Sequence, residues 1–148
     1  MLIIISDLHL GDGTCGKSIS SDAFNVFEER LDKMAMRASW REDGVYRPIE
    51  QIHILLLGDI LDPLHSTLWL DTEVDTPGYT RPWTDRNKPA YAKKLKEITR
   101  AILKENANSV KVLRQLDVII PQALQRQRGW EESVDWVSVD VKLHYMIG

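Results

Sequence analysis

The chain has 148 residues, 43% of them hydrophobic and 28% charged, enough apolar material for one folded domain spanning 1–148 and with no sign of a disordered or fibrous class. Its 19 Lys and Arg stand against 22 Asp and Glu, a net charge of −3, and the basic residues are dispersed, so a non-specific nucleic-acid surface is not indicated. Cys15 is the single cysteine, which excludes an intrachain disulfide, and no apolar run nears the roughly 20 residues that span a bilayer; a soluble cytoplasmic protein with no membrane partner is the expectation.

Leu2-Ile3-Ile4-Ile5 reads as a buried strand, too short and without the basic leader of a signal peptide. It runs straight into Asp7-Leu8-His9. Gly11-Asp12-Gly13-Thr14-Cys15-Gly16 then reads either as a plain loop or as a segment whose glycines let backbone amides approach a phosphate. Ser20, Ser21 and Asp22 offer caps to a helix whose apolar stripe is Phe24, Phe27, Leu31, Met34 and Ala38. Trp40 to Gly44 closes it, and Ile52 to Leu57 forms a second strand that ends in Gly58-Asp59-Ile60-Leu61-Asp62.

From Pro63 to Pro89 the chain is interrupted by Pro77, Gly78 and Pro82 and carries Trp69, Tyr79 and Trp83. A loop of this length is usually functional or disordered, and its aromatics favour a lid or specificity loop over disorder. Simple packing against another part of the domain is the competing reading. Asn87 and Pro89 open a further helix with Tyr91, Leu95, Ile98 and Ile102 on one face; Asn106 to Ser109 bends it, and Val110, Leu113 and Leu116 continue the stripe to an end near Pro121. Gln122 to Ser138, with Trp130 and Trp136, reads as a polar excursion before a third strand, Val141 to Ile147. Packing anchors are the reading preferred for the tryptophans, over stacking of Trp130 on a base or sugar.

The two short clusters carry the chemistry. Each follows an apolar strand, and in an open α/β sheet ligands gather beyond the carboxyl ends of parallel strands, where loops aim side chains at one point without disturbing the ladder. If a right-handed helical crossover joins the strands, Asp7, His9, Asp59 and Asp62 emerge on one rim. Carboxylate oxygen together with imidazole nitrogen suits divalent Mn, Fe or Zn. Taken singly, each cluster also fits ordinary turn and helix-capping chemistry; the pair in order, each behind a strand, favours a site.

Ser6-Asp7-Leu8-His9-Leu10-Gly11 and Gly58-Asp59-Ile60-Leu61-Asp62 resemble the first two signature blocks of the calcineurin-like metallophosphoesterases. The resemblance implies an α/β sandwich of sheets flanked by helices, of which this chain is the amino-terminal βαβαβ part, ending at Gly148 inside the third, Gly-Asn-His-Asp/Glu block. It implies that Asp7 and His9 bind a first metal, that Asp59 bridges two metals, and that Asp62 orients a catalytic histidine through a hydrogen bond. Two divalent ions about 3.5 to 4 Å apart would then hold the hydroxide that attacks phosphorus in a phosphate-ester substrate.

On this reading the remaining ligands come from the rest of the domain or from a neighbouring subunit, and the isolated chain is marginal, oligomeric or paired. Arg81, Arg86 and His65 are the candidate substrate contacts. His53 reads as a core or edge residue with a backbone partner, and His144 lies short of its strand's functional end. A catalytically inactive truncated chain or a regulatory metal-binding module is the alternative to the enzyme.

Overall fold

The computed structural model describes residues 1–127 and 139–146. In chain order they form β1 (Leu2–Ser6), α1 (Ser21–Ser39), β2 (Gln51–Leu57), a 3-10 turn (Thr67–Leu70), α2 (Pro89–Glu105), α3 (Ala107–Gln127) and β3 (Asp140–Met146). The three strands make one parallel sheet in the order β1-β2-β3, so the chain is mixed α/β. Ile3 pairs with Ile54 and Ile54 with Leu143, which places the carboxyl ends of β1 and β2 side by side.

Both crossovers step in the same direction along the sheet, and crossovers of one hand that do so lay their helices on the same face. α1 and α3 accordingly pack on each other, and the core closes between them and one face of β2. Ile52 and Ile54 are wholly buried there, with Phe24, Leu31 and Ala35 from α1, Ile98 and Ile102 from α2, and Leu113 and Leu116 from α3. The opposite face is bare and mixed: Leu2, 63% exposed, Ile4, 56%, and Met146, 55%, share it with Lys142 and the His53–His144 pair. Strands this apolar are the type normally covered on both faces.

Local chemistry explains most of the boundaries. Ser20 caps α1, its hydroxyl accepting from the Asp22 amide at 3.3 Å. The buried stripe of α1 is Phe24, Leu31 and Ala35, with Phe27 and Ala38 packed at its margin; Met34 is half exposed, so Ala35 takes the place expected of it. Proline in its first turn starts α2, and Lys88 rather than Asn87 occupies the cap.

The break between α2 and α3 is a single residue, Asn106, after which the helix resumes at once. α3 then runs on through Pro121 to Gln127, beyond the expected stop, forgoing the one amide hydrogen bond that proline cannot make. Trp130, Trp136 and the rest of the expected excursion beyond Gln127, with Ile147 and Gly148, lie outside the described residues. Among the described residues no helix is long and apolar enough to cross a membrane.

Candidate functional site

Beyond the last ladder pair, Ser6 with Leu57, the two chains do not separate. The Asp7 amide donates to Leu57 O at 3.3 Å, His9 to Asp59 O at 2.9 Å and Leu10 to Ile60 O at 2.9 Å, while Asp62 donates back to Leu10 O at 2.9 Å. The two motif blocks are therefore zipped together as an irregular continuation of the sheet. Leu10, 1% exposed, and Ile60, 5% exposed, pin this extension into the core, leaving Asp7, His9 and Asp59 exposed on its surface.

Asp7 and His9 both take left-handed backbone conformations, with φ of 55° and 46°. Such conformations are uncommon outside glycine and persist where the surroundings over-determine them, frequently at functional sites. Gly58, φ 68°, also leaves room for the Asp7 carboxylate: a Cβ there would lie 2.6 Å from Asp7 Oδ1 and push that exposed side chain aside. The Asp7 carboxylate thus lies directly over the second motif.

Asp62 joins the two histidines nearest the rim. Its Oδ2 binds His65 Nδ1 at 2.6 Å and stands 3.5 Å from His9 Nδ1, and its Oδ1 accepts from the Leu64 and His65 amides at 3.2 Å each. Burial raises the Asp62 carboxyl, but the His65 hydrogen bonds and the His65 and His9 charges together outweigh it and hold the group below the usual carboxylate range. The imidazole that Asp62 holds is His65, 78% exposed on its side chain. Proline and histidine after Asp62 gave no sequence signal of this pairing beyond the three-residue spacing.

Of the other expected contacts, Arg81 lies 9% exposed, with its guanidinium bonded to the carbonyls of Trp69, Thr80 (3.0 Å) and Thr72 (2.9 Å) and stacked 4.4 Å from the Tyr79 ring centroid. It holds the long loop together instead of facing the rim, and it leaves the candidate set. Trp69 anchors the same loop, donating to Pro63 O at 2.7 Å and packing on Tyr91. Arg86 is exposed in the turn-rich stretch before α2, and among the described residues nothing ties it to the motifs. His53 is half buried with its ring facing His144, Nδ1 to Nε2 3.0 Å, so a second histidine rather than backbone is its side-chain partner.

Three groups that the motifs do not include fix the loop after His9. Ser18 Oγ both accepts from the Gly11 amide and donates to its carbonyl, each at 3.0 Å. Buried Asn106, at the helix break, donates Nδ2 to Gly11 O at 2.7 Å and to Ile102 O at 2.8 Å. Asp12 accepts from the Thr14 amide and hydroxyl and from Ser66 Oγ, and Thr14 Oγ1 in turn accepts from the Thr67 amide. Burial raises the Asp12 carboxyl, and the Ser66 and Thr14 bonds more than offset it, so it too sits below its ordinary value.

For a metal the donors are right in kind and sit on one rim. Among the described residues, however, no three His, Cys, Asp or Glu side chains converge as a metal requires. The backbones of the two blocks are fixed by hydrogen bonds, while the Asp7, His9 and Asp59 side chains are exposed. No protein-family model, curated protein or solved structure matches the chain, and the resemblance therefore rests on the two motif blocks themselves.

Proposed function

We propose that this chain contributes the first two motif blocks of a metal-dependent phosphoesterase of calcineurin-like architecture. The observation that carries the reading is the zippered rim: two strand ends joined by hydrogen bonds past the ladder, with Asp7 and His9 held in left-handed conformations beside Gly58-Asp59. Left-handed φ at Asp7 and His9, residue types that enter this region more readily than most, brings them beside Gly58 and Asp62 of the second motif.

In this reading Asp7, His9 and Asp59 would hold divalent cations, Mn, Fe or Zn, which would supply Lewis acidity for the attack of water on phosphorus. Asp62 keeps His65 oriented through Nδ1, so that the other ring nitrogen exchanges a proton with the leaving oxygen. The rest of the domain or a neighbouring subunit would supply the remaining donors. The second reading is a catalytically inactive chain or a regulatory metal-binding module that turns nothing over alone.

The test is hydrolysis of an aryl phosphomonoester and phosphodiester with Mn²⁺, run beside Mn²⁺ binding, with Asp59→Asn as control. The expected result for the chain alone is Asp59-dependent binding with little turnover. Turnover lost in Asp59→Asn would establish a complete hydrolase, and binding indifferent to Asp59 would remove both readings.

A further inference from the structure

Basic residues that are dispersed along the sequence are gathered by the fold. Residues 88–117 hold eight of the 19 Lys and Arg but three of the 22 Asp and Glu, so this stretch is positive in a chain of net charge −3. It covers α2 and the first half of α3, whose buried side is Tyr91, Ile98, Ile102, Leu113 and Leu116. With about 3.6 residues per turn, Lys93, Lys96, Arg100, Lys104, Lys111 and Arg114 fall within one narrow arc on the opposite side, and all six are exposed. The helical phase carries across the break: the Asn106 amide still donates to Ile102 O at 3.0 Å, and the Val110 amide to Asn106 O at 2.9 Å. Leu103, Ala107, Lys111 and Arg114 accordingly border one hollow that spans it. The result is a single file of cations about 30 Å long.

Exposed helix faces ordinarily interleave the two signs in pairs three or four residues apart. Among the described residues none of these six side chains makes an ion pair or hydrogen bond. Of the three acids in the stretch, Glu97 is taken by Lys94 at 2.9 Å, Glu105 is turned to Gly13, and Asp117 stands past the end of the file. We infer that the file binds the sugar-phosphate backbone of a nucleic acid along its length, without reading the bases. A duplex carries one phosphate charge per roughly 1.7 Å of its axis, enough to meet every cation of a row this long. A flat anionic surface would instead be met by a broad patch drawn from several elements. Tyr91, the one aromatic residue of the two helices, is buried, so they offer no ring on which a base could stack. The net negative charge does not oppose contact, because at about 0.1 M salt charges are screened over about 10 Å and a ligand on the file senses these cations first. No residue of the two motifs takes part, and the proposal is independent of the metal reading.

The test is fluorescence anisotropy of labelled duplexes of about 20 base pairs, titrated with the intact chain over a range of salt. The wild type is expected to bind duplexes of unrelated sequence equally, and log K to fall against log salt with a slope of about −5, as six phosphate contacts require. Lys104→Gln with Lys111→Gln takes about 2 off the steepness of that slope and weakens binding about tenfold or more at about 50 mM salt. Lys17→Gln with Arg30→Gln, two exposed cations elsewhere, leaves both unchanged. No duplex binding by the wild type at low salt, or equal losses in the two double variants, overturns the proposal. Adsorption to anionic lipid vesicles that needs Lys104 and Lys111, with no binding of the duplex, also overturns it and makes the face a membrane contact.

Discussion

The two loops that leave the rim are held by opposite kinds of chemistry. The first, from Gly11 to Ser18, is fixed by polar side chains reaching in from elsewhere: Asn106 at the helix break, Ser66 from the second loop, and Ser18 from its own end. The second, from Pro63 to Lys88, is fixed from within by buried Trp69 and by Arg81, which binds carbonyls of its own loop. The first loop therefore borrows its shape from the whole fold, whereas the second adds an internal Arg81–carbonyl cluster to its ties at Asp12, Thr14 and Tyr91. A site wall made the first way is sensitive to distant residues, and a segment made the second way is close to a self-contained unit.

The largest effect expected on the rim is from Gly58→Ala, at the residue that follows β2 and opens the second motif. A Cβ at φ 68° and 2.6 Å from Asp7 Oδ1 forces the carboxylate away and strains the backbone, at a cost of about 1 to 3 kcal/mol in urea melting. Mn²⁺ affinity falls with it; unchanged stability and metal affinity would show that the close approach is not needed.

Arg81→Met acts on the second loop alone, and it sharpens the contrast. Removing the guanidinium leaves buried carbonyls of Trp69, Thr72 and Thr80 short of a donor, a loss of about 2 to 4 kcal/mol, yet it leaves Mn²⁺ binding by the folded fraction as it was. Asn106→Ala inverts that pattern. It costs about 1 to 3 kcal/mol, and it loosens the first loop enough to raise Cys15 alkylation, which Arg81→Met does not do.

The smallest effect is in acid. Asp12 and Asp62 both sit below their ordinary range in the fold, so each contributes stability that is full above the unfolded value near ~3.9 and is lost as pH falls through the lower folded value. Melting temperature stays flat with respect to these two groups down to about pH 5 and falls below about pH 4. Asp12→Asn removes part of that acid-side slope, and a slope identical to wild type would show that the tie between the loops contributes nothing.

Much of the rim was readable from the chain because it depends on local order: an apolar strand, then a motif, twice, with a helical segment between. The parallel pairing of β1 with β2 follows from that pattern. What was not readable depends on separation in sequence. Asn106 announced a helix break, but its bond to Gly11, 95 residues away, has no local signature. Arg81 in a long polar loop reads as a phosphate contact, and only the fold shows that Trp69 and Tyr79 bury it. Met34 and Ala35 share the edge of one helical stripe, and the rotation that buries the smaller residue is set by packing on α3.

The central claim is that the zippered rim is a metal site, and the most direct measurement is Mn²⁺ binding by titration calorimetry to the wild type and to Asp59→Asn. The account predicts saturable binding that weakens at least about tenfold when the carboxylate becomes an amide. Equal binding by the two proteins, or none by either, would contradict it.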